Sequence, residues 1–299
     1  MLQKFNERNS DLLININSEL IHRDKAGISP FDSVVQGGDG VWEGLRLYNG
    51  KIFKLDEHLN RLRHSAQAMA FNDIPSNETL TTEISKTLQA NNMHDGVHIR
   101  LTLTRGVKIT SGMDPRLNQQ GNTLIVLAEF KGPVYDTSGL SLATSSIRRF
   151  SPDMMDPKIH HCNLIQSIMA KIEANAAGAD DALMLDANGF IAETNATHIF
   201  FVKDGHVCTP RAVACPEGVT RQTVLDLCHE HDIDIRIKPC TQAELYRADE
   251  CFCTGTMGEL ACVTMVDGRT IGSGELGEMT QRLTTLFKEL VANSGTQVV

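Results

Sequence analysis

Ile99, Leu101 and Leu103 alternate with Arg100, Thr102 and Thr104, the two-residue period of a strand with one buried face. TLIVLAEF (123–130) reads as a more deeply buried strand. Between the N-terminus and these strands, Leu55, Leu59, Leu62, Ala66 and Met69 recur at helical spacing. The second half opens with a strand in LSLATSSI (140–147), followed by a helical stripe of Leu164, Ile165, Ile168, Met169 and Ile172. Asn188-Gly189 joins ALML (182–185) to FIAE (190–193), and Asp204-Gly205 joins HIFFV (198–202) to HVCTP (206–210). Both dipeptides favour the positive φ of tight hairpin turns. One helix is predicted from near Thr220. A last one carries Met279, Leu283, Leu286, Phe287 and Leu290, and the terminal SGTQVV is expected to be loose.

Antiparallel hairpins with interspersed helices predict an α+β fold rather than a doubly wound sheet. The turn-rich stretch from Gly132-Pro133 to Gly139 marks a boundary. It predicts a small N-terminal domain (1–132), a linker (133–138) and a larger C-terminal domain (139–299).

The chain has 299 residues, 41% of them hydrophobic, enough to bury a sizeable core. The formal net charge is −9, with acids and bases mixed along the chain, so nucleic acid is not an expected partner. The longest apolar runs are strand-sized, which argues against a spanning helix, and MLQKFNERNSD lacks the apolar core of a signal peptide. All eight cysteines lie from Cys162 onward at irregular spacing, and Cys251 and Cys253 are too close for the usual zinc pattern. Reduced thiols, a cytoplasmic location and no metal are the expectation.

Four segments carry candidate chemistry. In GGDGVWEGLRLYNGKIFKLDEHLNRLRHSA (37–66) glycines punctuate a strand and Arg61 sits on the following helix; alone, Arg61 reads as a surface charge. In GFIAETNATHIFFV (189–202) Glu193 lies between two apolar strands and could be a turn acid. PEGVTRQTV (216–224) places a glycine before Thr220 at a helix start, an ordinary cap or an anion site built from free N–H groups. CTGTMGEL (253–260) is a Gly-Thr turn that could cradle a phosphate.

Read in order, GDGVWEGLR, HLNRL, AETNATHIF, EGVTR and TGTMGEL resemble the class IV aminotransferases, the pyridoxal 5'-phosphate (PLP) fold-type-IV family, over nearly the whole chain. GVKITSGMDPR (106–116) and AKIEANAAGADDALMLD (170–186) give it a branched-chain-aminotransferase-like character. The resemblance implies a small N-terminal and a larger C-terminal domain, a homodimer, PLP, and an amino acid and a 2-oxo acid as substrates. It implies that Arg61 binds the cofactor phosphate bidentately, joined by Val219, Thr220 and Thr256. Glu193 would hold the protonated pyridine nitrogen, keeping the ring cationic so that it accepts electrons. Trp42, Arg46, Tyr48, Arg100 and Arg105 are substrate candidates by position, each with a structural alternative.

The family lysine departs from the pattern. It attaches the cofactor and moves a proton, and it ends a strand three or four residues before an asparagine. Here the asparagine is Asn163, and counting back gives His160 or Ile159 within DPKIHHCNL (156–164). Lys158 stands two residues early. On a strand that is the same face but about 6.6 Å away, given a rise of ~3.3 Å per residue, unless a bulge draws it in. His160 cannot hold PLP covalently but is a competent acid or base near neutral pH. Three readings therefore stand: an aminotransferase using Lys158; a lyase or isomerase with His160 as acid–base; and a non-catalytic binder of phosphate ligands.

Overall fold

The computed structural model describes residues 3–132, 134–135 and 139–299. They form two compact units. The first comprises 3–132, Ile159–Asn163 and Asn293–Val299; the second comprises the described residues of 134–158 and Leu164–Ala292. Two stretches that chain order alone assigns to the C-terminal part, Ile159–Asn163 and the last seven residues, thus pack in the first unit. Apart from Val134 and Tyr135, the linker expected at 133–138 lies outside the described residues.

The first unit is built on strands β1 (Leu13–Ile16), β2 (Glu19–His22), β3 (Gly40–Tyr48), β4 (Lys51–Ile52), β5 (Val97–Thr104) and β6 (Thr123–Phe130). Its helices are α1 (Ser33–Gly37), α2 (Leu55–Ala68) and α3 (Asn77–Ala90). β3 and β5 pair antiparallel, Gly40 opposite Thr104 through Leu47 opposite Val97. That register, with the two-residue period, sets Val41, Leu45 and Leu47 with Ile99, Leu101 and Leu103 on a fully buried face. Leu55, Leu59, Leu62 and Ala66 of α2 join the same core. Burial of each large apolar side chain contributes about 1.5–3 kcal/mol. Trp42, Arg46 and Tyr48 point to the opposite face, as does Arg100, whose strand partner is Gly44. Glu43 shares the core face with Val41 and Leu45 and is itself fully buried, so its partners decide whether the sheet tolerates it.

The terminal SGTQVV is tied down rather than loose. Thr296–Gln297 pairs as an edge strand with β4, and the Val298 N–H donates to the Gly50 carbonyl.

The second unit is a nine-stranded sheet made of β7 (Leu140–Thr144), β8 (Asp181–Leu185), β9 (Ile191–Thr194), β10 (His198–Lys203), β11 (His206–Pro210), β12 (Ile235–Lys238), β13 (Glu250–Gly255), β14 (Glu259–Val266) and β15 (Arg269–Thr270). The two predicted hairpins are present as β8–β9 and β10–β11. Three neighbouring pairs, β11–β12, β14–β7 and β7–β8, are parallel. The helices are α4 (Ile165–Ala176), α5 (Val219–Glu230), α6 (Gln242–Leu245) and α7 (Glu278–Asn293).

The stripe on α4 faces outward. Its buried residues are Ala170 and Ala174, packed on Ala182 and Met184 of β8, while Ile165, Ile168, Met169 and Ile172 are each between 43% and 56% exposed. All eight cysteines are unpaired. Among the described residues, no helix is long and apolar enough to cross a membrane.

Candidate functional site

The buried Glu43 carboxylate is the hub of the first unit. Arg61, one turn beyond His58 on α2, donates from Nε and Nη2 to its two oxygens at 2.6 and 2.7 Å. The His58 Nδ1 lies 2.7 Å from the second oxygen, and the His160 Nδ1 lies 3.3 Å from the first. Burial alone would raise this carboxyl. The Arg61 guanidinium, then His160 and His58, outweigh it and hold the group well below the usual carboxylate range.

His160 is fixed from several sides. Its backbone N–H donates to the Ser65 hydroxyl at 3.0 Å, and its carbonyl accepts from the Trp42 N–H at 3.0 Å. Its Nδ1 is 2.6 Å from the Trp42 carbonyl oxygen, and the ring stacks on the Trp42 indole with centroids 4.5 Å apart. The indole N–H donates to the His161 carbonyl, and the Arg100 guanidinium lies over the Trp42 ring at 3.9 Å. Desolvation lowers the His160 imidazole below its ordinary range; Glu43 opposes the shift and Arg61 adds to it.

The strand geometry expected around His160 is corrected here. Residues 156–163 form turns and bends, and their only ladder contact is an isolated bridge between His161 and Val41. The pleat distance between Lys158 and His160 therefore does not apply. The two residues face different surroundings: His160 packs in the first unit, while the Lys158 Nζ bonds the Ala212 carbonyl and lies 3.6 Å from Glu217, both in the second.

Of the other first-unit candidates, Arg46 is buried and stands 5.3 Å over the Tyr48 ring. Arg105 is a clamp at the end of β5. It donates to Asp39 at 2.7 and 3.1 Å and to the Met69 and Ala70 carbonyls, and lies over Phe71.

In the second unit Glu193 lies on β9, nearly buried, in an ion pair with Arg149. A buried carboxylate needs such a partner to offset the loss of water. His198, at the start of β10, brings its Nδ1 to 3.8 Å from the other Glu193 oxygen. The ligand atoms of Glu193, His198 and Cys215 all fall within 4.8 Å of one another. Four charges act on the Cys215 thiol, those of Glu193, Lys158, Arg149 and Arg221, and burial pushes it up to about 12.

α5 begins beside this group. Its N-cap, Gly218, makes no side-chain capping bond, which leaves the first amides, those of Val219 and Thr220, without a side-chain acceptor. A Cβ on Gly218 would sit 2.3 Å from Cδ2 and Nε2 of His198, so only glycine fits there. The Gly-Thr turn ending β13 shows a similar economy. A Cβ on Gly255 would stand 3.1 Å from the Thr197 methyl, and the buried Thr254 hydroxyl has no hydrogen-bond partner among the described residues. Thr256 follows in that turn, half-buried. Uncapped amides, an unpartnered hydroxyl and close glycines are the donor set that a phosphate monoester takes.

Sequence reasoning passed over Glu43, His58, Arg149, His198 and Cys215 as site residues. Glu43 carried a usable signal: an acid on the apolar face of the strand GVWEGL must find a buried cation. The others are recognised only once the strands are assembled.

Residues 40–266 match the model of the family described as Amino-transferase class IV. The chain is 52% identical over 291 residues to branched-chain-amino-acid aminotransferase-like protein 2 of Arabidopsis thaliana, covering 97% of this chain and 52% of that protein. It thus spans about half the length of that relative, and likewise of like protein 1 from the same plant. It is 38% identical to a putative branched-chain-amino-acid aminotransferase of Methanocaldococcus jannaschii, covering 95% of this chain and 98% of that one. The structure of a T.th. branched-chain amino acid aminotransferase complexed with N-(5'-phosphopyridoxyl)-L-glutamate superposes with a TM-score of 0.88 at 32% identity, covering 95% of both chains.

Proposed function

Because the chain belongs to the class IV aminotransferases, we propose that it moves an amino group between a branched-chain amino acid and a 2-oxo acid, using PLP attached through Lys158. When bound, PLP supplies the electron sink that lets a Cα–H bond of the amino acid break.

One observation carries this reading. In one unit, the Lys158 amine lies 3.6 Å from Glu217, which just precedes α5; Gly218, the N-cap of α5, packs against the His198 ring, and His198 lies 3.8 Å from the Glu193 carboxylate. A lysine, a carboxylate for the pyridine nitrogen and a helix N-terminus for the phosphate are the three things PLP requires of a protein. Arg149 pairs with Glu193, the carboxylate proposed to face the ring nitrogen. Val219, Thr220 and Thr256 supply phosphate donors; the Arg61 Nε and Nη2 are engaged by Glu43, so the bidentate phosphate contact that the family pattern implies for Arg61 is not available through that edge of the guanidinium. Trp42, Arg46, Tyr48 and Arg100 share one face of the β3–β5 pair and form the proposed substrate surface.

The exposed isoleucines and methionine of α4 support a homodimer, since a contiguous apolar face of this kind is unusual on a monomer. The eight unpaired cysteines support a reducing compartment, the cytoplasm.

The test is direct. PLP-loaded protein is incubated with leucine, isoleucine or valine, each as both enantiomers, and a 2-oxo acid acceptor. Formation of the matching branched 2-oxo acid supports the reading. Tight PLP uptake without amino transfer to any acceptor contradicts it.

A further inference from the structure

The geometry points to a zinc site made by Glu193, His198 and Cys215, with water as the fourth ligand. Spacing along the chain hides it, because its members come from β9, the start of β10 and the loop that leads into α5. Their ligand atoms lie within 4.8 Å of one another, the one such trio of His, Cys, Asp or Glu among the described residues. All three are buried, Cys215 to 1% exposure, and all belong to the second unit.

The ligand atoms follow from the packing. Gly218, the N-cap of α5, abuts the Nε2 edge of His198, where an added Cβ would stand 2.3 Å from Nε2. Nδ1 is the ring nitrogen turned toward Glu193, 3.8 Å from its Oε2. Arg149 pairs with Oε1, so Oε2 is the oxygen turned to the imidazole. The turn between the two residues is closed by the Thr194 N–H donating to the Thr197 carbonyl at 2.8 Å, and by the Thr197 N–H donating to the Thr194 hydroxyl at 2.8 Å. Zinc bonds of about 2.0–2.3 Å in a tetrahedron set neighbouring ligand atoms about 3.3–3.8 Å apart. The trio therefore has to close by roughly 1 Å, which side-chain rotation can supply.

The donor set selects the metal. Magnesium and calcium take oxygen ligands, whereas a thiolate, an imidazole and a carboxylate together suit zinc, which imposes no geometry of its own. Three protein ligands leave a position for water. On binding, the Cys215 S–H bond breaks, its proton leaves to solvent and the sulfur electron pair forms the Zn–S bond; nothing is oxidised or reduced. The carboxylate and thiolate together balance the ion. The charges of Lys158, Arg149 and Arg221 favour the thiolate but repel the ion itself, which weakens the site and makes its occupancy reversible.

One consequence rests on the amino-transfer reading, while the site itself does not. Glu193 is the carboxylate proposed to face the pyridine nitrogen, so zinc on its Oε2 and PLP are alternative ligands.

Equilibrium dialysis of zinc against the whole chain, kept reduced with a phosphine and free of added cofactor, tests the site. One equivalent is expected. Cys215→Ser and Cys215→Ala should each weaken it by more than about 100-fold, beyond the 10–100-fold typical of residues that only orient a ligand. Cys262→Ser, at a half-buried thiol elsewhere on the sheet, should not. Cobalt(II) reports the sulfur in the unmutated protein, whatever the fate of the variants: a thiolate-to-cobalt charge-transfer band with tetrahedral visible bands is expected. Absence of stoichiometric uptake, a smaller loss in both Cys215 variants, or a cobalt spectrum without the thiolate band overturns the site. Loading with PLP beforehand should lower zinc uptake. Uptake unchanged by PLP overturns the exclusion, and with it the ring-nitrogen role of Glu193, while the zinc site stands.

Discussion

Arg61 and Glu43 form a two-point pair, Nε to one carboxylate oxygen at 2.6 Å and Nη2 to the other at 2.7 Å. The pair joins α2 to the apolar face of β3, where an unpartnered carboxylate would be prohibitive. Removing Glu43 leaves the part-buried Arg61 guanidinium without its counter-charge and the His58 and His160 rings without their shared partner. Glu43→Ala is therefore expected to cost about 3–5 kcal/mol, the usual effect of breaking a buried pair from one side. Urea unfolding measures it, and a change under about 0.5 kcal/mol, the range of ordinary surface substitutions, would show that the pair is not structural.

Acid should destabilise the protein in two steps. The His98 imidazole on β5 is lowered from 6.5 to about 4, first by burial and then by the charges of Lys131, Arg100 and Arg46. A depressed folded value means that the unfolded chain binds the proton more readily. The stability contributed by neutral His98 is present above 6.5 and is lost as pH falls toward 4. Glu43 obeys the same sign lower down: its contribution is complete above 4.5 and disappears only at more acid pH. His98→Asn should lessen the fall in urea midpoint between pH 6.5 and 4, His160, also lowered by burial, carrying part of the remainder, and should leave the more acid limb. An equally steep fall in that variant would assign the loss to other groups.

Gly218 should tolerate no side chain while His198 is present. Gly218→Ala drives a methyl into the His198 ring, and overpacking of this kind costs about 1–3 kcal/mol. It should also displace the first amides of α5 and weaken binding of inorganic phosphate and PLP, read by equilibrium dialysis. Adding His198→Ala should recover much of the stability. If the double variant is no more stable than Gly218→Ala alone, the close approach is not the cause.

A charged residue on the outer face of α4 should separate the proposed dimer. Ile168→Glu changes a half-exposed side chain and should leave the urea midpoint of the dissociated chain almost unaltered. Sedimentation should shift it from dimer toward monomer. A protein that is monomeric before mutation would remove the homodimer from the account.

The fold was legible where one period ran long enough. The alternation at 99–104 placed β5, and the two Xaa-Gly dipeptides placed both hairpins. Periodicity also located α4, but it could not say which way the stripe faces, because an apolar stripe is as well explained by a partner as by a core. The Thr296–Gln297 pairing was invisible because two residues carry no period. At the site, the five cofactor-type positions came from matching motifs. The Glu43 network did not, because its other members lie 15 to 117 residues from Glu43 and meet it only through the packing of α2 and 159–163 on β3. The placement of Lys158 relative to His160 was not legible, because the chain abandons regular strand geometry at the turn through Pro157 and Lys158.

The claim that most of this account depends on is that Lys158 takes over the attachment role, although His160 occupies the family lysine position. Reduction of PLP-loaded protein with borohydride, followed by proteolysis and mass spectrometry of the peptides, tests it most directly. The account predicts a single phosphopyridoxyl group, on the peptide and the residue of Lys158, absent from Lys158→Ala. Modification fixed on another lysine, or bound PLP that borohydride fixes nowhere, would contradict it.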